Sequence, residues 1–182
     1  MKQFFLYIIF FFHIPLFSYL NHHNNFEAIW NYIKLDDHHP HTIILLDLDN
    51  TLVQPYGTYV ASDQWVEHHI KQKMKDGLSA REAWLLIKDL YIYLQKHISL
   101  TLVEEITVEI IKELQARGIT VIAITARLSE VSDYTIMQLQ NLDINFSQLW
   151  HEEICDGDLR YCYKDGIIFC DGNDKGKVFE HI

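Results

Sequence analysis

From Thr42 the chain reads TIILLDLD, an unbroken apolar run with β-branched residues that ends in acids. Successive strand side chains point to opposite faces, so a run apolar at every position predicts a strand buried on both faces of a parallel sheet. The period then changes from two to about 3.6. SDQWVEHHIKQKMKDG predicts a helix capped by Ser62 and stopped by Gly77. SAREAWLLIKDLYIYLQK follows, with Ser79 and Glu82 in capping-box spacing and Ala83, Ile87, Leu90 and Leu94 on one face. TLVEEITVEIIKELQARG repeats the device with Thr101 and Glu104, and Gly118 closes that helix. ITVIAITAR is a second apolar strand, and a helix from about 129 to 141 comes after it. After the short apolar run INFSQLW, LRYCYKDGIIFC sets two β-rich runs around Asp165-Gly166, a dipeptide suited to a two-residue hairpin.

Strands alternating with helices predict right-handed crossovers and an α/β fold, whose ligand site lies at the carboxyl ends of the strands. Both DLDNT and TAR fall at such ends. With no repeat, low-complexity tract or Pro/Gly-rich linker, residues 21–182 read as one domain. The first twenty residues differ. Lys2 precedes an apolar stretch from Phe4 to Phe12 that is too short to span a bilayer, so 1–20 is expected to be a signal peptide. The chain is then exported, periplasmic or secreted, with no stable membrane span once the signal is removed.

Charge narrows the partners. A net charge of −10 argues against nucleic acid and leaves a small phosphorylated molecule in a local site. Nothing in the pattern sets the oligomeric state. Cys155, Cys162 and Cys170 are odd in number and lack C-x-x-C spacing, so neither a zinc site nor a disulfide framework is indicated. Two alternatives stand for Cys162 and Cys170: a pair across the hairpin, or half-buried strand residues.

Asp47 and Asp49 stand one residue apart at a strand end, where they repel unless a cation or shared proton relieves them. A divalent metal does so. One carboxylate can then attack phosphorus while the other protonates the departing oxygen, with Mg²⁺ neutralising phosphate and nucleophile together. Thr125 offers a hydroxyl to a phosphoryl oxygen, and a lysine would balance the developing negative charge. An EF-hand loop starting at Asp47 fails, since Leu52 stands where Gly is needed and Thr58 where Glu is needed.

DLDNT, VIAITAR and GNDKGKVF resemble the first three motifs of the haloacid dehalogenase-like (HAD) hydrolase superfamily, a likeness covering most of residues 41–182. SDQW and the hairpin before NDKG further resemble an exported bacterial HAD-like family of unknown function. The resemblance implies a Rossmann-like parallel sheet of HAD type, with a small helical cap over about 54–100. It makes Asp47 nucleophile and metal ligand, and Asp49 general acid/base and ligand through its backbone carbonyl. Thr125 and Lys175 become phosphate binders, Mg²⁺ the cofactor, and the activity that of a phosphohydrolase working through an aspartyl-phosphate. Trp65, just past the first motif, is a candidate substrate contact.

The superfamily's fourth motif, acids after one further strand, should follow a helix starting near Lys175, yet the sequence ends seven residues later. The resemblance therefore implies a truncated core, an open edge beside the first strand with Ile44 and Leu46 exposed, and an impaired enzyme. The alternative is an inactive remnant or a binding protein. A rival alignment takes IIFCDGND as the fourth motif, with Asp171 and Asp174 as metal acids and Lys164 as the lysine, but it leaves no room for a helix between them. The histidine pairs at 22–23, 38–39 and 68–69 are not spaced for one metal site, and His22, His23, His38, His39 and His41, in polar segments before or at the start of the first strand, read as solvated surface. Trp65, Trp84 and Trp150 read mainly as cap and core packing.

Overall fold

The computed structural model describes residues 25–27, 30–31, 43–150, 152–157 and 160–181. The expected signal segment and His22, His23, His38, His39 and His41 lie outside the described residues. In chain order the elements are β1 (Ile43–Asp47), β2 (Val53–Pro55), α1 (Asp63–Lys75), α2 (Ala80–His97), β3 (Leu100–Leu102), α3 (Thr107–Ala116) and β4 (Thr120–Thr125). A 3-10 turn (Ser129–Val131) then leads to α4 (Ser132–Gln140), β5 (Ile154–Asp156), β6 (Tyr161–Lys164), β7 (Ile167–Phe169) and α5 (Lys175–Phe179).

The fold is mixed α/β. Its five-stranded sheet has the order β1-β4-β7-β6-β5. β1, β4 and β7 run parallel, in register Asp47 to Ile124 and Thr125 to Phe169, while β6 and β5 add antiparallel pairs. Ile44, Leu46, Val121 and Ala123 face one layer with Ile110, Ile111 and Leu114 of α3, joined by Phe26 and Trp30. Leu45, Ile122 and Ile124 face the other, with Tyr163 and Val178. This is the double-sided burial that the apolar runs predict.

Among the described residues no strand pairs β1 on its outer side. Ile44 and Leu46 are nevertheless 1% and 0% exposed, contrary to the expectation that an open edge would uncover them. Side chains stand perpendicular to the sheet, so an unpaired edge bares backbone groups while the helices still cover both faces.

α1 and α2 form an antiparallel-connected pair inserted between β2 and β3, which pair with each other as a two-stranded antiparallel stalk. Ser62 caps α1 by accepting from the Trp65 N–H, and Gly77 follows its end at φ +91°. The Ser79–Glu82 capping box is present. The buried face of α2 comprises Ala83, Ile87, Tyr91, Ile92 and Gln95, whereas Leu90 is 51% exposed. The helix turns this face toward the loops after β2 and β4, where Gln95 donates to the Ala61 carbonyl and Leu128 and Val131 pack, and packing overrides the apolar count.

The second expected capping box does not form. Thr101 lies in β3, α3 begins at Thr107 without a side-chain cap, and Glu104 accepts instead from the Phe26 N–H. The hairpin is as expected: Asp165 (φ +46°) and Gly166 (φ +78°) both take the left-handed backbone of a type I′ turn. Cys162 stands opposite Phe169, so Cys170 falls on the other face and cannot reach it. Cys162 is instead bonded to Cys155, its opposite number on β5, and Cys170 is buried as a free thiol. Among the described residues no helix is long and apolar enough to cross a membrane.

Candidate active site

The parallel strands end side by side, and their carboxyl ends carry the acids and cations. Asp47 closes β1; its Oδ1 accepts from the Leu48 N–H at 2.8 Å and from Lys175 Nζ at 2.5 Å. Lys175 comes from the first turn of α5, 128 residues away. Both side chains are about one-third exposed, 34% and 33%, so a ligand in solution can reach them. Burial pushes the Asp47 carboxyl up from its ordinary 3.8, and Lys175 opposes that rise.

Asp49 lies in the tight turn after β1, where the Leu48 carbonyl accepts from the amides of Thr51, Leu52 and Val53. The neighbouring Asn50 takes φ +59°. Thr125 ends β4 fully buried, with Oγ1 3.5 Å from Asp49 Oδ2 and accepting from the Arg127 N–H at 3.1 Å. The structure thus brings Asp47, Asp49, Thr125 and Lys175 together.

Two members of the site are not singled out by the sequence patterns. Arg127 is 1% exposed in its side chain and forms an ion pair with Asp49, with Nη2 to Oδ1 at 2.7 Å. Its position in TAR is visible in the sequence, but the partly buried carboxylate it meets is 78 residues away. Asp63, the first residue of α1, receives a 3.4 Å contact from Asn50 Nδ2. Burial of its carboxyl, then the charges of Asp49 and Asp47, raise its pKa from 3.8. SDQW therefore brings to the site an acid as well as a cap.

Asp171 and Asp174 make local hydrogen bonds, and Asp171 lines the cleft that Asp49 also lines. Asp171 accepts from Ser129 N at 2.6 Å and Ser129 Oγ at 3.1 Å, pinning the turn after β4. Asp174 caps α5 by accepting from the Lys177 N–H. Lys164 pairs with Asp133 and Glu153 and makes no contact with Asp47. Trp65 is 6% exposed and packs against His69, with ring centroids 4.3 Å apart. It does not line the cleft above Asp49; Trp84 and Tyr91 of α2 do. Trp150 packs edge-on against Tyr163 in the core.

The donor set suits a hard cation. Three carboxylates, Asp47, Asp49 and Asp63, face two cations, Arg127 and Lys175, and all their donor atoms toward a metal are oxygens. Among the described residues these carboxylates are too spread to ligate one ion together. An ion held by only one or two of them would need water and substrate oxygens to complete its shell. The one tight group of potential ligand atoms among the described residues, Glu153 with Cys155 and Cys162, is spent on the disulfide.

A family model described as "Protein of unknown function (DUF2608)" matches residues 22–182, so the chain belongs to that family. No curated protein and no solved structure matches it.

Proposed function

We propose that this member of a family of unknown function is an exported, Mg²⁺-dependent phosphomonoester hydrolase of HAD type that works through an aspartyl-phosphate on Asp47. The observation that carries the proposal is the meeting of Lys175 with Asp47, Nζ to Oδ1 2.5 Å, beside Thr125 and Asp49. A turn that merely ends a strand needs its aspartates for local backbone bonds; it needs no lysine from the far end of the chain. The Cys155–Cys162 disulfide supports export, since such bonds persist in oxidising compartments.

Asp47 Oδ1 is held by Leu48 and Lys175, so Oδ2 is the oxygen directed to phosphorus. As it bonds, the ester P–O bond breaks and the leaving oxygen takes a proton from Asp49. Asp49, now a carboxylate, takes a proton from water; that water's oxygen attacks phosphorus, releasing phosphate and restoring Asp47. Lys175 binds the phosphoryl oxygens; Thr125, buried beneath them, reaches them only by turning its hydroxyl away from Asp49, and Arg127 fixes the orientation of Asp49. Mg²⁺, held by the Asp47 carboxylate and the Asp49 main-chain carbonyl, would neutralise charge on the phosphoryl group and nucleophile.

One observation favours a second reading, a HAD-like protein that binds phosphorylated ligands without turnover. Arg127 contacts both oxygens of Asp49 and must release one before it can carry a proton. Release of p-nitrophenol from its phosphate separates the two. The hydrolase requires turnover that EDTA removes and Asp47→Asn abolishes. Phosphate binding without turnover would establish the second reading, and undiminished activity in Asp47→Asn would remove Asp47 as nucleophile.

A further inference from the structure

Above Asp49 a cleft of about 1030 Å³ opens between the α1–α2 pair and the loops that follow β4 and β7. Its volume is at the top of the range of roughly 300–1,000 Å³ that accommodates drug-sized ligands. One wall is apolar: Val66, Ile70 and Met74 recur at four-residue intervals along α1, and Trp84 and Leu85 of α2 join them. The charges nearest this wall cancel in place, since Lys71 pairs with Glu67 at 2.5 Å and Lys88 with Glu130 at 3.1 Å. Arg81 and Arg160 stand at the rim and are exposed.

Met74 and Leu85 are 47% and 61% exposed. Contiguous apolar side chains left exposed along one wall of a cleft and rimmed by charges mark a ligand-binding groove. The apolar wall begins at Val66, one turn beyond Asp63 and the acids, and ends at Met74, eight residues on along α1. At 1.5 Å per residue that is about 12 Å of contact surface. A small sugar phosphate would leave most of it unfilled.

We propose that this cleft is the leaving-group site, and that the substrate is a phosphomonoester of a long, uncharged, apolar alcohol. The proposal rests on the hydrolase reading. Phosphate sits at Asp47 and Lys175, over Thr125, the ester oxygen at Asp49, and the apolar chain runs along Val66, Ile70 and Met74 toward the rim.

The test is a series of n-alkyl phosphates from methyl to dodecyl, kept below micelle-forming concentrations. Two quantities are read: kcat/KM for the wild-type chain with Mg²⁺, and Kd for Asp47→Asn by calorimetry. Each methylene placed against the wall should improve both by about fourfold, and the gain should level off once the chain passes Met74. Met74→Ser should bring the levelling forward, whereas Leu86→Ser, which is outside the cleft and 63% exposed, should leave the slope unchanged. Turnover with no dependence on chain length, or sugar phosphates and nucleoside monophosphates preferred over octyl phosphate, would overturn the proposal and spare the hydrolase. Binding that tightens along the series without any turnover would overturn the hydrolase while leaving the apolar site standing.

Discussion

Arg127 closes on Asp49 through parallel donors, Nη2 2.7 Å from Oδ1 and Nε 3.0 Å from Oδ2. Its third nitrogen, Nη1, reaches Thr135 at 3.2 Å and Gln138 at 3.3 Å, so the guanidinium ties the turn after β1 to α4. A planar fork of this kind matches a carboxylate in a way that a lysine ammonium cannot. Arg127→Ala leaves a partly buried carboxylate and two polar side chains without their donor, a loss of about 3 kcal/mol or more. The melting temperature should fall by roughly 6–12 °C, and Arg127→Lys should recover only part of that. Circular dichroism melts check this; an alanine variant melting within about 2 °C of wild type would show the pair to be unimportant for stability.

Asp63 and Asp47 both titrate above their ordinary 3.8 in the folded chain, chiefly through burial. A carboxyl raised on folding adds stability only below its unfolded pKa, and that contribution is lost as pH rises through the folded value. At neutral pH both ionised groups therefore oppose folding. Asp63→Asn should melt higher than wild type at pH 7 by no more than about 1 °C, because the residue is exposed to solvent and its acid in the first turn of α1 offsets part of the gain, with the difference shrinking to nothing below pH 3.8. A lower melting point for Asp63→Asn at pH 7 would contradict this sign.

Gly166 and Gly118 share nearly the same backbone, φ +78° and +79°, in different surroundings. A Cβ on Gly166 would sit 2.5 Å from the Ser147 carbonyl oxygen and 2.6 Å from Phe146 Cβ, while nothing lies within 4 Å at Gly118. The Ser147 segment is itself anchored to β4 by a 2.7 Å bond to the Val121 carbonyl, so it cannot yield freely. Gly118→Ala should cost about 1 kcal/mol, the left-handed penalty alone. Gly166→Ala should cost about 2 kcal/mol more than that. Equal losses in urea titrations would mean that the hairpin does not pack against 146–147.

Cys155 and Cys162 close a loop seven residues apart in sequence, worth about 2.5 kcal/mol by chain entropy. Thiol titration in denaturant should find one free cysteine per chain before reduction and three after it. Blocking the free thiol before digestion should place the label on Cys170. Reduction should lower the melting temperature by roughly 5–10 °C. A label on Cys155 would instead indicate a Cys162–Cys170 bridge.

Local signals in the sequence proved legible where local interactions govern structure. Ser62, the Ser79–Glu82 box, Gly77 and Gly118 mark helix ends because a cap is satisfied by residues a few positions away. Asp165-Gly166 marks the hairpin because its backbone demands positive φ at both positions. The same logic failed at Thr101 and Glu104: the spacing of a capping box was present, but pairing between β3 and β2 took Thr101, and Phe26 took Glu104. Leu90 was misplaced because the buried face of α2 follows the loops it packs on, which accept Tyr91 and Gln95.

The candidate site divides in the same way. The types and order of Asp47, Asp49, Thr125 and Lys175 are written in the sequence, since each ends a strand, follows one in a tight turn or opens a helix, and the motifs are short. Their distances are not. Asp49 meets Arg127 because β1 and β4 are parallel neighbours, and Asp63 approaches the acids because the β2–β3 stalk returns α1 over the strand ends. The choice of Cys155 as the partner of Cys162 depended on β5, three residues too short and too polar to be recognised alone. What the sequence determined by itself was the alternation of strands and helices and the acids at their ends, because hydrophobic period and capping act within a few residues. Only the tertiary structure decided which charges neutralise one another and what the cleft can hold, because those depend on contacts between segments 78 and 128 residues apart, whose spacing no local pattern encodes.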